Sequence, residues 1–135
     1  MQTQTSETTE QDIAELVRRF YQRAASDERL KGIFDSVIDD WEAHHRIVED
    51  FWSRTLLGSD RYRGSPYPVH ARLPLKLEDF DIWLDYFRQT ALEVLPAAAA
   101  ERAIARAEHM AESFKVGMFL HYNPVQTASC LKPGD

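Results

Sequence analysis

Apolar residues recur along this chain at helical spacing in runs separated by short polar breaks. Ile13, Leu16, Val17 and Phe20 form the first run. Residues three or four apart share one helix face, so this set predicts an amphipathic helix with one buried side. Thr8 and Gln11, spaced as a capping box, predict its start. Tyr21 follows Phe20 and precedes Ala24 and Ala25 by one turn, which brings its ring inward at the edge of the stripe and gives its hydroxyl the need of a partner. Ser26 and Asp27 mark a break. Leu30, Ile33, Phe34, Val37 and Ile38 then predict a second helix, with a short tight turn near Gly32 and Phe34 as its large apolar anchor. Asp39 or Asp40 caps a third helix, whose stripe reads Trp41, His44, Val48, Phe51, Trp52 and Thr55 and which ends at Gly58.

From Gly58 to about Glu78 the periodicity fails, and Gly64, Pro66, Pro68 and Pro74 are spread through the segment. Loops beyond roughly 12 to 15 residues are uncommon in compact helical domains and tend to be functional. His70 lies in the middle of this one. Glu78 and Asp79 favour a new helix start through their charge, and Phe80, Trp83, Leu84, Phe87, Ala91, Val94 and Leu95 trace a wide apolar face closed by Pro96. Ala97 to Ala100 open a last helix with Ile104, Ala107, Met110, Ala111, Phe114 and Met118 on one side. It runs to about His121, before Asn123 and Pro124 stop it. Sustained two-residue alternation is missing, so the class is all-α.

At 135 residues and 44% hydrophobic, the chain fits one domain with a core of its own. Residues 1–11 read as a disordered extension, 12–122 as the folded domain and 123–135 as a flexible tail. The net charge of -6 lacks the clustered basic footprint of nucleic-acid binders, so no nucleic-acid partner is expected. Neither a signal peptide nor a run of roughly 18 apolar residues is present, so no membrane association is expected. The single cysteine, Cys130, forms no intrachain disulfide, and a reducing compartment, the cytoplasm, is the simpler inference.

Five histidines are the candidates for chemistry. A histidine on the buried side of a helix costs free energy unless its ring nitrogens find partners, so His44 is either satisfied by the core or by something bound there. His45, about 100° further round, faces solvent or a groove rim. His109 and His121 lie on or near the polar side of the last helix. His70 invites a ligand reading because its loop is longer than the fold needs. A structural zinc site usually takes four Cys and His ligands, and this chain has no CxxC and no HExxH to supply them. Haem asks for only one protein ligand. There is no nucleophile elbow and no phosphate-cradling glycine loop, and the carboxylates fall on polar faces as a solvated pattern. On spacing alone the chain is a helical domain, with a cofactor-free interaction module as one reading of it.

Several residue strings go further. Phe20-Tyr21, Leu30 through Phe34, Trp41 through His44 leading to Phe51-Trp52, His70 with Leu73-Pro74, and Phe80 through Phe87 together resemble the truncated haemoglobins, and within them the third group, or P type. The match runs from about Ile13 to Tyr122. The resemblance implies a two-over-two helical sandwich around haem b, iron protoporphyrin IX, held between the His44 helix and the His70 segment. It makes His70 the proximal iron ligand. Tyr21, His44 and Trp83 become the distal, ligand-stabilising residues. Phe34, Val48, Phe51, Trp52 and Leu73, with His44 and Trp83, become haem contacts. The glycine pairs of the first two truncated groups are missing, which agrees with the third. Val48 is smaller than the isoleucine or leucine often found at its position, which widens access to the iron.

The implied ligands are oxygen, carbon monoxide and nitric oxide. Preorganised donors in a dry site stabilise developing negative charge, and Tyr21 and Trp83 both donate. His44 is a third polar contact, a gate, or itself an iron ligand. Three converging donors would hold oxygen too tightly for transport, which opens a redox alternative: nitric oxide dioxygenase or peroxidase-like chemistry. The chain has no flavin or nicotinamide motif, so turnover would call on a separate reductase. Arg46, Arg54 and Arg72 are the candidates for pairing with the propionates.

Overall fold

The computed structural model describes residues 7–64 and 75–122, with side chains as far as residue 117. His70, Leu73 and Arg72 of the long loop, the side chains of Met118 and His121, and the expected tail, with Cys130, therefore lie outside the described residues. The described residues form helices and no strand. They are α1 (Glu10–Ala24), α2 (Glu28–Val37), α3 (Trp41–Leu57), α4 (Leu77–Val94) and α5 (Ala97–Tyr122).

Local chemistry sets each boundary. Thr9, in extended conformation, caps α1: its hydroxyl accepts from Asp12 N–H, and the Asp12 carboxylate accepts from Thr9 N–H, each at 3.1 Å. The box thus sits one residue later than the Thr8 and Gln11 spacing predicts, because the short Asp12 carboxylate closes it, and α1 starts at Glu10. Asp27 caps α2 through Arg29 and Leu30 N–H. The tight turn expected near Gly32 does not form; α2 runs through it as regular helix. Asp40, rather than Asp39, caps α3. Gly58 ends it at φ 78°, a left-handed conformation that glycine reaches without steric cost, and donates to the Arg54 carbonyl at 3.0 Å. At α4 the Asp79 carboxylate accepts from Lys76 N–H at 2.7 Å.

Helix α1 packs on α3 and α4, α4 packs on α5, and α3 packs on α5. That closed set of contacts is a two-over-two sandwich, α1 and α3 over α4 and α5, with α2 linking α1 to α3. Ile13 and Leu16 of α1 and Ala91 of α4 are wholly buried in the centre. The alanine cluster has a structural reason. Ala99, Ala100, Ala103 and Ala107 of α5 are all buried, and small side chains let that helix approach its neighbours closely. Trp52 stacks on Phe87 at 4.8 Å and 19°, joining α3 to α4 through the middle of the sandwich.

Candidate functional site

Tyr21, in the last turn of α1, is where the site begins. Its hydroxyl lies 2.9 Å from His44 Nε2 on α3, a hydrogen bond whose donor depends on the histidine tautomer. Burial pushes the Tyr21 phenol above the ordinary tyrosine range, so the hydroxyl keeps its proton at any physiological pH. The partner that the sequence says Tyr21 needs is therefore His44. The two are brought together because α1 and α3 pack side by side.

Two apolar cavities flank this pair. One, of about 160 Å³, is walled by Phe34, Ile33, Phe80 and Phe114 among others. The second, of about 210 Å³, is walled by Val48, Phe51, Trp52, Phe20 and Phe87 among others. Tyr21, His44 and Trp83 line both. Every residue read from the sequence as a distal group or haem contact that falls within the described residues, namely Tyr21, Phe34, His44, Val48, Phe51, Trp52 and Trp83, borders one cavity or both, while the propionate candidates Arg46 and Arg54 line neither. His70 and Leu73 lie outside the described residues. Trp83 is set by Phe20 at 6.0 Å edge-on and by Phe87 stacked at 6.0 Å.

Several residues depart from the sequence reading. His45 does not stand free in solvent: it is half-buried, with its ring stacked on Tyr21 at 5.4 Å and 28° and against Trp41 at 5.6 Å and 65°. The reason is that the first turn of α3 lies close enough to Tyr21 for both adjacent histidines to reach it, one at its tip and one at its face. Nε2 of His45 is buried and has no hydrogen-bond partner among the described residues. Burial holds its pKa below the usual histidine value, with Glu49 opposing and Arg18 assisting.

Asp79 is likewise no solvated carboxylate. It is 1% exposed, borders the first cavity, and accepts from Arg29 Nη2 at 2.8 Å and from Arg29 Nε. Tyr62 joins the site without a sequence signal. It lies past Gly58, where periodicity gives no signal, yet it lines the second cavity and meets Phe51 edge-on at 5.3 Å. Arg54 donates to the Tyr62 carbonyl at 3.3 Å.

A helical sandwich with an aromatic, apolar interior and a tyrosine–histidine pair at its centre is the architecture of a truncated globin, and comparison with known proteins agrees. The Bacterial-like globin family matches residues 8–118, and the chain belongs to that family. It is similar to the group 3 truncated hemoglobin ctb of Campylobacter jejuni, at 32% identity over 111 residues, covering 78% of this chain and 87% of that protein. It is also similar in fold to a crystal structure of group III truncated hemoglobin from Campylobacter jejuni. There the TM-score is 0.77 and the identity 29%, over 83% of this chain and 92% of the other.

Membership of a globin family implies haem. The described residues fit that group: aromatic and aliphatic walls suit the apolar face of a porphyrin, and the Tyr21–His44 pair puts polar hydrogen-bonding groups where those walls meet. Among the described residues no helix is long and apolar enough to cross a membrane.

Proposed function

We propose that this chain binds haem b through His70 and holds oxygen, carbon monoxide or nitric oxide against a polar face made by Tyr21, His44 and Trp83. The observation that carries the reading is the 2.9 Å contact of Tyr21 with His44 on the wall shared by two apolar cavities. Haem supplies an iron with a free coordination position for a diatomic ligand.

The residues then control what such a ligand meets. Tyr21 has one proton to donate and lone pairs with which to accept. If His44 carries its proton on Nε2, it donates to the Tyr21 oxygen and the phenolic proton is free to point at a guest. If the proton is on Nδ1, Tyr21 donates to Nε2 and its proton is committed there. The His44 tautomer thus sets how many donors face the ligand. The indole N–H of Trp83 donates in either case. Phe34, Val48, Phe51 and Trp52 exclude water, which strengthens each polar contact inside.

Visible absorption of the purified chain after addition of hemin, then after reduction under carbon monoxide, tests the reading on wild type and His70→Ala. The expected result is a sharp stoichiometric Soret band that shifts with carbon monoxide in wild type and is lost or altered in His70→Ala. In Tyr21→Phe, oxygen release is expected to quicken by about tenfold, the factor that corresponds to one hydrogen bond of ~1.4 kcal/mol. Absence of a specific band in wild type would overturn the haem reading and leave a helical interaction module.

A further inference from the structure

We infer that His45 is a positioning residue, a plate on the face of the Tyr21 ring that fixes the plane of the ring, and with it the plane in which the phenolic proton lies, at the wall between the two cavities. The use of that held hydroxyl toward a ligand rests on the proposed function; the holding itself does not.

Tyr21 meets four rings at steep angles: Phe20 at 4.9 Å and 71°, Phe34 at 5.5 Å and 70°, Trp41 at 5.5 Å and 70°, and His44 at 5.1 Å and 76°. Rotation of the ring about its own axis is opposed by a neighbour stacked on its face, and of the five described aromatic rings around Tyr21 His45 is the one nearest to parallel, at 5.4 Å and 28°. Trp41 in turn backs His45 at 5.6 Å and 65°.

The choice of a histidine for this plate has a cost. Nε2 of His45 is buried without a partner among the described residues, and an unmet buried polar atom disfavours the folded state. A leucine would fill similar volume without that cost. Flatness is what an imidazole adds, and flatness is what a stacked contact uses.

Two variants separate a plate from mere filling: His45→Leu keeps bulk and loses flatness, while His45→Phe keeps a flat ring. Nuclear magnetic resonance of the full chain with ring-labelled tyrosine, the Tyr21 signal assigned by its loss in Tyr21→Phe, reads ring-flip rate and Cζ shift directly. In His45→Leu the flip rate is expected to rise about twofold to tenfold, the factor one aromatic pair is worth, and the Cζ shift to move. In His45→Phe both are expected to stay at wild-type values.

The carbon monoxide stretching band of the hemin-loaded, reduced protein is expected to broaden in His45→Leu and to keep its width in His45→Phe. An unchanged flip rate in His45→Leu, or equal changes in the two variants, would overturn the role of His45. Failure of wild type to take up hemin would remove the haem reading and leave the ring-flip comparison intact, so the two failures are distinguishable.

Discussion

Asp79→Asn removes one charge from a carboxylate whose side chain has no exposure to solvent. In the native chain Asp79 ties the start of α4 to α2, accepting from Arg29 through both oxygens and from Lys76 N–H. Burial by itself raises the carboxyl pKa. The Arg29 and Lys76 hydrogen bonds and the positive charge of both residues outweigh that and bring it below the ordinary value. Asparagine keeps an acceptor for Lys76 N–H but loses the charge-assisted bonds to Arg29. Such bonds are worth roughly 1.5–3 kcal/mol when shielded. The Arg29 side chain is 41% exposed, so water rehydrates it in the variant and screens the pair in the native chain. The expected loss is therefore about 2 kcal/mol, or roughly 5–8 °C in Tm.

The pH dependence has a definite sign. A carboxyl whose pKa is depressed by folding contributes stability that is fully present above its unfolded value of about 3.9 and is lost as pH falls through the folded value. The gap between wild type and Asp79→Asn should accordingly be constant near neutrality and close in strong acid. Arg29→Ala should move the wild-type acid transition to higher pH. Urea unfolding at pH 7 and in steps toward pH 2.5 measures all three chains. Stability of Asp79→Asn within about 0.5 kcal/mol of wild type at pH 7, or a gap that does not change with pH, would refute the reasoning.

Three further outcomes are expected. Trp52→Ala should cost about 3 kcal/mol in urea unfolding, the low end for a buried tryptophan, because one side of the ring already borders a cavity and makes fewer contacts there. Gly58→Ala should cost about 1 kcal/mol in thermal unfolding. An added Cβ there meets nothing within 4 Å, so the whole effect comes from the left-handed φ of 78°. His45 is a base whose pKa burial depresses, so acid favours its unfolded form. Stability should decline as pH falls below about 6.5, and His45→Phe should remove part of that slope in a series of unfolding curves from pH 7.5 to 5.

The sequence by itself determined the helices and much of the site. Spacing of three and four residues is a local property, so the apolar faces of α1, α3 and α4 could be read directly, as could the stop at Gly58, while the choice of Asp40 over Asp39 as the cap of α3 came from the structure. Through residue strings shared with the truncated haemoglobins, the sequence also marked Tyr21, His44 and Trp83, which the structure brings to one wall. Tertiary packing decided what local patterns do not encode. The environment of an exposed-looking residue depends on which helix lies opposite it. His45, on the expected outer side of α3, became a stacking partner because α1 carries Tyr21 past it. Asp79, one of a pair of acidic residues at a helix start, became a buried ion-pair partner because α2 delivers Arg29 to it. Neither event leaves a periodicity, since each joins residues far apart in the chain whose meeting is fixed by the crossing of two helices.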